Sequence, residues 1–175
     1  MAKMETITVS IAQSEVYDEV AKATDYTGSK MIGSDEGARD RILAGDQDLS
    51  ELSRFWEEAI MAVNENLKEM FISGMTTQKI KPGEVKPGEG DIVATPVETT
   101  PTYAMVLEVS TSFDKTLTAS VESMLRSFFI ATIIGYWFKF ANKEESSGYF
   151  AQAAEFMAAA ERLLYSRRKP SVPKS

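Results

Sequence analysis

The sequence predicts a mainly α-helical fold with a small β part: a helical bundle of about four helices, with an extended β-hairpin or arm inserted between helices two and three. Three observations lead there. Apolar residues recur at spacings of three and four in four separate stretches, residues 103–110 alternate, and the Thr/Pro/Gly-rich segment 76–102 excludes helix. With 175 residues, 43% of them apolar, the chain suits one domain. That domain is read as 1–175, with 76–102 as the inserted arm and 170–175 as a flexible C-terminal tail.

The first helix is expected over SEVYDEVAKATDY, capped by Ser14, with Val16, Val20 and Ala23 on one side, and interrupted by Gly28 and Gly33. The polar segment GSDEGARDRILAGDQD has room for one short helix at most. DLSELSRFWEEAIMAVNENLKEMF then places Leu49, Leu52, Phe55 or Trp56, Ile60, Val63, Leu67 and Met70 on one face. This is an amphipathic helix of about 24 residues that ends near Gly74.

Residues 76–102 hold four prolines, three glycines and six threonines, with two Lys-Pro-Gly-Glu turns. They read as an arm or long hairpin, with strands at Thr77–Ile80 and Asp91–Val97, that becomes ordered against a neighbour. YAMVLEVS, residues 103–110, alternates as a strand, with Tyr103, Met105, Leu107 and Val109 on its apolar side.

Asp114 or Thr116 starts the most apolar helix, in which Leu117, Val121, Leu125, Phe128, Ala131, Ile134 and Phe138 keep a helical period. Phe129, Ile130, Ile133, Tyr136, Trp137 and Phe140 widen the stripe around most of the circumference. A helix of this kind must be surrounded, and the companion helices of so short a chain are expected to leave part of it to another subunit. Its core, Phe128–Phe140, is shorter than the ~20 residues that span a bilayer, so a buried helix without membrane contact is expected. Asn142 followed by Lys143-Glu144-Glu145 is an N-cap signature for the last helix. That helix carries Phe150, Ala153, Ala154, Met157, Ala160, Leu163 and Leu164 inward, and Pro170 stops it.

The absence of Cys and His excludes disulfides, Cys/His zinc sites, and Ser-His-Asp or Cys-His nucleophiles. The adjacent carboxylates Glu57-Glu58 and Glu144-Glu145 point about 100° apart on a helix and cannot share a substrate atom. Asp46 and Asp48 do not repeat a calcium loop, and Gly28, Gly33 and Gly37 are not spaced as a phosphate loop. No metal, no cofactor and no enzymatic activity are expected. The first 20 residues contain no continuous apolar run and so no signal peptide, which points to synthesis in a cytoplasm.

Charge is uneven along the chain, with 7 Lys plus Arg against 15 Asp plus Glu in residues 1–70 and 8 against 4 in residues 126–175. Arg167, Arg168 and Lys169 form the one concentrated basic patch. They serve as a helix C-cap, or as a phosphate contact that a ring of subunits would multiply around an axis. Trp56, Phe128, Phe129, Trp137 and Phe138 divide between core and subunit interface.

Three segments carry a family resemblance: SEVYDEVAKATDYTGSKM, LSRFWEEAIMAVNENLKEMF and, above all, IATIIGYWFKFANKEESSGYFAQAAEFMAAAERLLYSRRKP. Together they span about half of the chain and resemble the head-to-tail connector (adaptor) proteins of tailed phages, particularly the type found in phages and prophages of gut Bacteroidetes-type bacteria. The resemblance implies a non-enzymatic virion protein made in the host bacterial cytoplasm. It would form a ring beneath the portal protein, with twelve copies the expected number, extend the DNA channel and dock the tail or further neck proteins at the head-tail junction. In that setting Trp56, Phe129, Ile133, Trp137, Phe140, Ile92, Val93 and Val97 are expected at subunit or partner interfaces. Arg167, Arg168 and Lys169 are expected at the DNA channel or portal. An intracellular helical protein-interaction module and a tail-completion or terminator protein are the alternatives.

Overall fold

The strict alternation of Ile7, Val9 and Ile11 with Thr6, Thr8 and Ser10 makes Met4–Ala12 a strand, β1, with its aliphatic side buried and its hydroxyl side in solvent. This strand is an addition to the elements expected from the sequence. The computed structural model describes residues 4–31, 37, 40, 42–80 and 99–168. Strand β1 runs directly into helix α1, Gln13–Met31, so Ser14 sits in the first turn rather than at the cap, and the helix continues through Gly28.

Helix α2, Leu49–Asn66, buries Leu52, Phe55, Trp56 and Val63 of the expected face together with Ala59, while Leu49 at its first position is exposed. It is shorter than the sequence suggested. Leu67 and Met70 belong to a turn, closed by Leu67 N–H to Val63 O and Met70 N–H to Leu67 O, and Phe71 already starts strand β2, Phe71–Ile80. Gly74 therefore ends no helix; it lies within β2 beneath the ring of Tyr103, where an added Cβ would run into the phenol. The β-branched and aromatic residues of Phe71–Thr77 favour a strand once a partner is available, and β3, Thr99–Ser110, supplies it.

The three strands form one antiparallel sheet in the order β1-β3-β2. Thr6 faces Glu108 and Ser10 faces Ala104 on one side of β3; Thr76 faces Tyr103 and Ile80 faces Thr99 on the other. The arm thus begins as a hairpin of β2 and β3. The expected strand at Asp91–Val97 lies outside the described residues. Tyr103, Met105, Leu107 and Val109 point into the core, as the alternation required.

Asp114 caps the turn that opens α3: its Oδ1 accepts from Thr116 N–H at 3.1 Å and from Thr116 Oγ1 at 2.7 Å. Helix α3, Thr118–Ala141, ends at Asn142, whose side chain accepts from Glu145 N–H at 3.3 Å and so starts α4, Lys143–Leu164, at the expected cap; α4 ends before Arg167 and Arg168, which the sequence places in its last turn. The two helices form a close hairpin. Gly135 lies against the Phe150 ring, 3.0 Å from where a Cβ would stand, and its carbonyl accepts from Ser146 Oγ at 2.8 Å.

Helix α3 is the centre of the molecule. α1, α2, α4 and β1 all pack on it, and Val121, Leu125, Phe129, Ile133, Ile134 and Phe138 are buried. Residues 115–139 are long and apolar enough to cross a bilayer; here 44% of the most apolar stretch is buried within the chain, the largest side chains among them. The C-terminus is tied back: Arg167 bridges to Phe113, and Arg168 N–H donates to Ser112 O at 2.7 Å.

Two consequences are measurable. Gly74→Ala should lower stability by about 1–3 kcal/mol in urea denaturation, and by less when made in a Tyr103→Val background, because the ring is what the methyl meets. The Tyr17 hydroxyl is buried without a hydrogen-bond partner, and burial, helped by Glu57, pushes its pKa up from 10.0 to about 12. The folded state therefore keeps a proton that the unfolded state releases. This contribution is complete below pH 10 and is lost as pH rises toward 12, and burial shifts Tyr103 and Tyr149 in the same direction. Tyr17→Phe should flatten that alkaline loss in pH-dependent unfolding and raise neutral stability by up to about 1 kcal/mol; an unchanged alkaline slope would contradict the burial.

Candidate partner-binding surfaces

The side chains expected at subunit interfaces are mostly interior. Trp56, Phe129 and Ile133 are 1%, 0% and 0% exposed. Trp56 packs its ring 4.8 Å from Phe129 and meets Tyr17 edge-on at 6.2 Å. Their assignment to an interface is corrected: α1, α2 and the sheet together cover this face of α3, because β1 adds a layer that the sequence reading lacked. Trp137, partly buried, is also an internal tether. Its Nε1–H donates to Ile42 O at 2.7 Å, and two residues on Ala44 N–H donates to Thr24 Oγ1 at 3.1 Å, so residues 42–44 are held from two helices. Phe140 lies on α3, but its side chain, like residues Ile92, Val93 and Val97, is outside what the structure describes.

The basic end is placed by backbone rather than side chain. The backbone pairing of Arg167 and Arg168 to the 112–113 turn leaves both side chains exposed; Lys169 lies outside the described residues. Their surroundings are acidic. Arg167 shares a cavity with Glu69 and Glu108. Asp114 is held below its usual pKa by the Thr116 hydrogen bonds, with a smaller contribution from Arg168. Two exposed arginines among these carboxylates are a local contact point rather than a broad basic face.

A surface that sequence reasoning missed lies between α2 and α4. Both helices rest on α3 rather than on each other, and the gap between them is a trough. Four neighbouring cavities follow one another along it and share walls: Tyr136 joins the first two, Asn66 and Glu161 the next, and Glu69, Met70 and Tyr165 the last. The widest part, about 360 Å³, has Phe128, Thr132 and Tyr136 of α3 as its floor and Ala62 of α2 and Ala154 and Ala158 of α4 on its walls. Tyr136 crosses the floor, stacked on Phe55 at 5.5 Å and edge-on to Phe150 at 5.1 Å. Thr132 is 4% exposed and its hydroxyl has no hydrogen-bond partner. At the lower end Tyr165 is 64% exposed. The alanines of α4 were the available signal, but sequence alone assigns them to packing inside the chain.

Among the described residues no group of three or more Asp, Glu, His or Cys is placed to hold a metal ion. The trough is built of aromatic rings and small side chains, with carboxylates and basic groups along its length.

Replacing Arg167 and Arg168 by Gln should leave stability within about 0.5 kcal/mol, since backbone bonds make the tether. The same double variant should reduce the salt dependence of duplex DNA binding by a slope of about one per arginine, as read by fluorescence anisotropy across a salt series. An unchanged slope would remove these two residues from any DNA contact. Compared with protein-family models, curated proteins and solved structures, the chain matches none.

Proposed function

We propose that the chain is a structural virion protein of a tailed bacteriophage, a head-to-tail connector or adaptor that docks on the portal protein, extends the DNA channel and joins the tail. The observation that carries this reading is the C-terminal segment 130–170. Its sequence resembles that family, and it folds as a tight helical hairpin turning at Asn142 and closed by the Gly135–Phe150 and Ser146–Gly135 contacts. Two further features support it. The β2–β3 hairpin carries the arm, with Ile72 and Met75 of β2 at 51% and 66% exposure, apolar groups suited to contact with a neighbouring subunit. The backbone-anchored Arg167 and Arg168 present their charges outward.

The need for a second copy no longer rests on α3. With Trp56, Phe129 and Ile133 covered internally, an isolated chain has a complete core, and assembly is a matter of the hairpin and the surface trough. That internal coverage also favours the second reading, a self-contained helical interaction module.

Sedimentation velocity and native mass spectrometry separate the two. The connector reading expects the purified chain to form a closed ring either alone or on adding a portal protein from the same source, and expects Ile72→Lys with Met75→Lys to weaken that ring without unfolding the chain. A strictly monomeric species with no affinity for portal would overturn it.

A further inference from the structure

We propose that the trough between α2 and α4 is a docking site for a cationic amphipathic helix of a partner protein. The shape argues for a helix. Between Arg54 and Asn66 the α2 wall runs for about 18 Å at 1.5 Å per residue, which matches roughly three turns of an incoming helix. The floor is mostly aromatic and the α4 wall presents Ala154 and Ala158 between Met157 and Glu161, so an incoming backbone can approach closely while its apolar side chains reach Phe128, Tyr136 and Phe150. Tyr165, exposed at the end of the trough, is the kind of aromatic residue that anchors such contacts.

Two observations point to an occupant rather than to a bare gap. One is Thr132, a residue of the floor: it is almost completely buried and its hydroxyl has no partner, although a helical threonine can back-bond to its own preceding turn. The other is charge. Glu58, Glu69, Glu108 and Glu161 line the successive cavities, and none of them forms a salt bridge among the described residues. The cations along the same path are mostly engaged: Arg54 with Glu51 at 2.9 Å, Lys68 with Glu65 at 2.8 Å, and Lys139 over the Tyr136 ring at 5.9 Å. Arg167 stands beyond them at the far end. An apolar floor between rims of unpaired carboxylates complements a helix whose apolar stripe is flanked by Lys or Arg. A second copy of this chain, with net charge −7, is the less complementary occupant. The inference stands on the trough itself and holds whichever assembly the chain joins.

The test uses the full chain and a fluorescein-labelled Leu/Lys peptide of about 14 residues, long enough to form a helix of roughly 20 Å. Controls are a scrambled peptide of the same composition and an analogue with Glu in place of Lys. Saturable one-to-one binding is expected for the striped cationic peptide, with weaker binding of the scrambled one and none of the acidic one. Ala158→Phe, which fills the trough, should weaken binding about tenfold or more, and Glu58→Gln with Glu161→Gln should weaken it severalfold while circular dichroism and thermal unfolding stay unchanged. If Ala158→Phe disturbs the fold, the carboxylate pair alone decides. Equal affinity for striped and scrambled peptides, or affinity indifferent to these substitutions in folded protein, overturns the proposal. Self-association lost on Ala158→Phe, with the cationic peptide unbound, also overturns it and gives the trough to a second copy.

Discussion

The burial of one helix organises this molecule. α3 carries apolar side chains around most of its circumference, and each face left in water would cost on the order of 25 cal/mol per Å² of apolar surface. Everything else is arranged to prevent that. α4 folds back on it through the Asn142 corner, α2 lays Phe55 and Trp56 against it, α1 adds Val16 and Val20, and β1 closes a further side with Ile7, Val9 and Ile11. Polar bonds then fix the arrangement rather than drive it: Ser10 N–H to Glu122 at 3.0 Å, Arg126 to Glu15 at 2.7 Å, and Trp137 to the carbonyl of Ile42.

The incomplete part of this coverage is where function is to be sought. Among the described residues α1, α2, α4 and β1 pack around the central helix. Along Phe128, Thr132 and Tyr136, α2 and α4 leave a trough whose floor is largely covered: Phe128 and Thr132 are buried and Tyr136 is partly exposed. The core is buried within the chain itself, and the trough proposed as a docking site lies at its surface, with an apolar floor and carboxylates along its length.

Much of the helical architecture was legible in the sequence because helical periodicity and capping are local properties. Asn142 at the α4 cap, Asp114 before α3, and the inward side of residues 103–110 needed only neighbouring residues to be read. The misses have a different origin. The alternation in METITVSIA is plain, but an isolated strand carries little meaning until β3 stands beside it, and β3 is almost a hundred residues away. The end of α2 was misplaced because Leu67 and Met70 keep the helical spacing, while strand pairing with Leu107 claims Phe71. Gly74 reads as a helix stop in sequence; its reason is the ring of Tyr103, another long-range fact. The same applies to Trp56, Phe129 and Ile133. Their hydrophobicity shows that something must cover them, but only the fold shows that the chain does so itself.

The central claim, that the chain covers α3 without help, is tested most directly by native-state hydrogen exchange on the isolated monomer, resolved for the amides of Leu125 through Ile134. The account predicts that these amides exchange only through global unfolding, with protection equal to the full stability of the chain and no further gain at concentrations where it assembles. Rapid exchange of this stretch in the monomer, with protection appearing only on association, would contradict it.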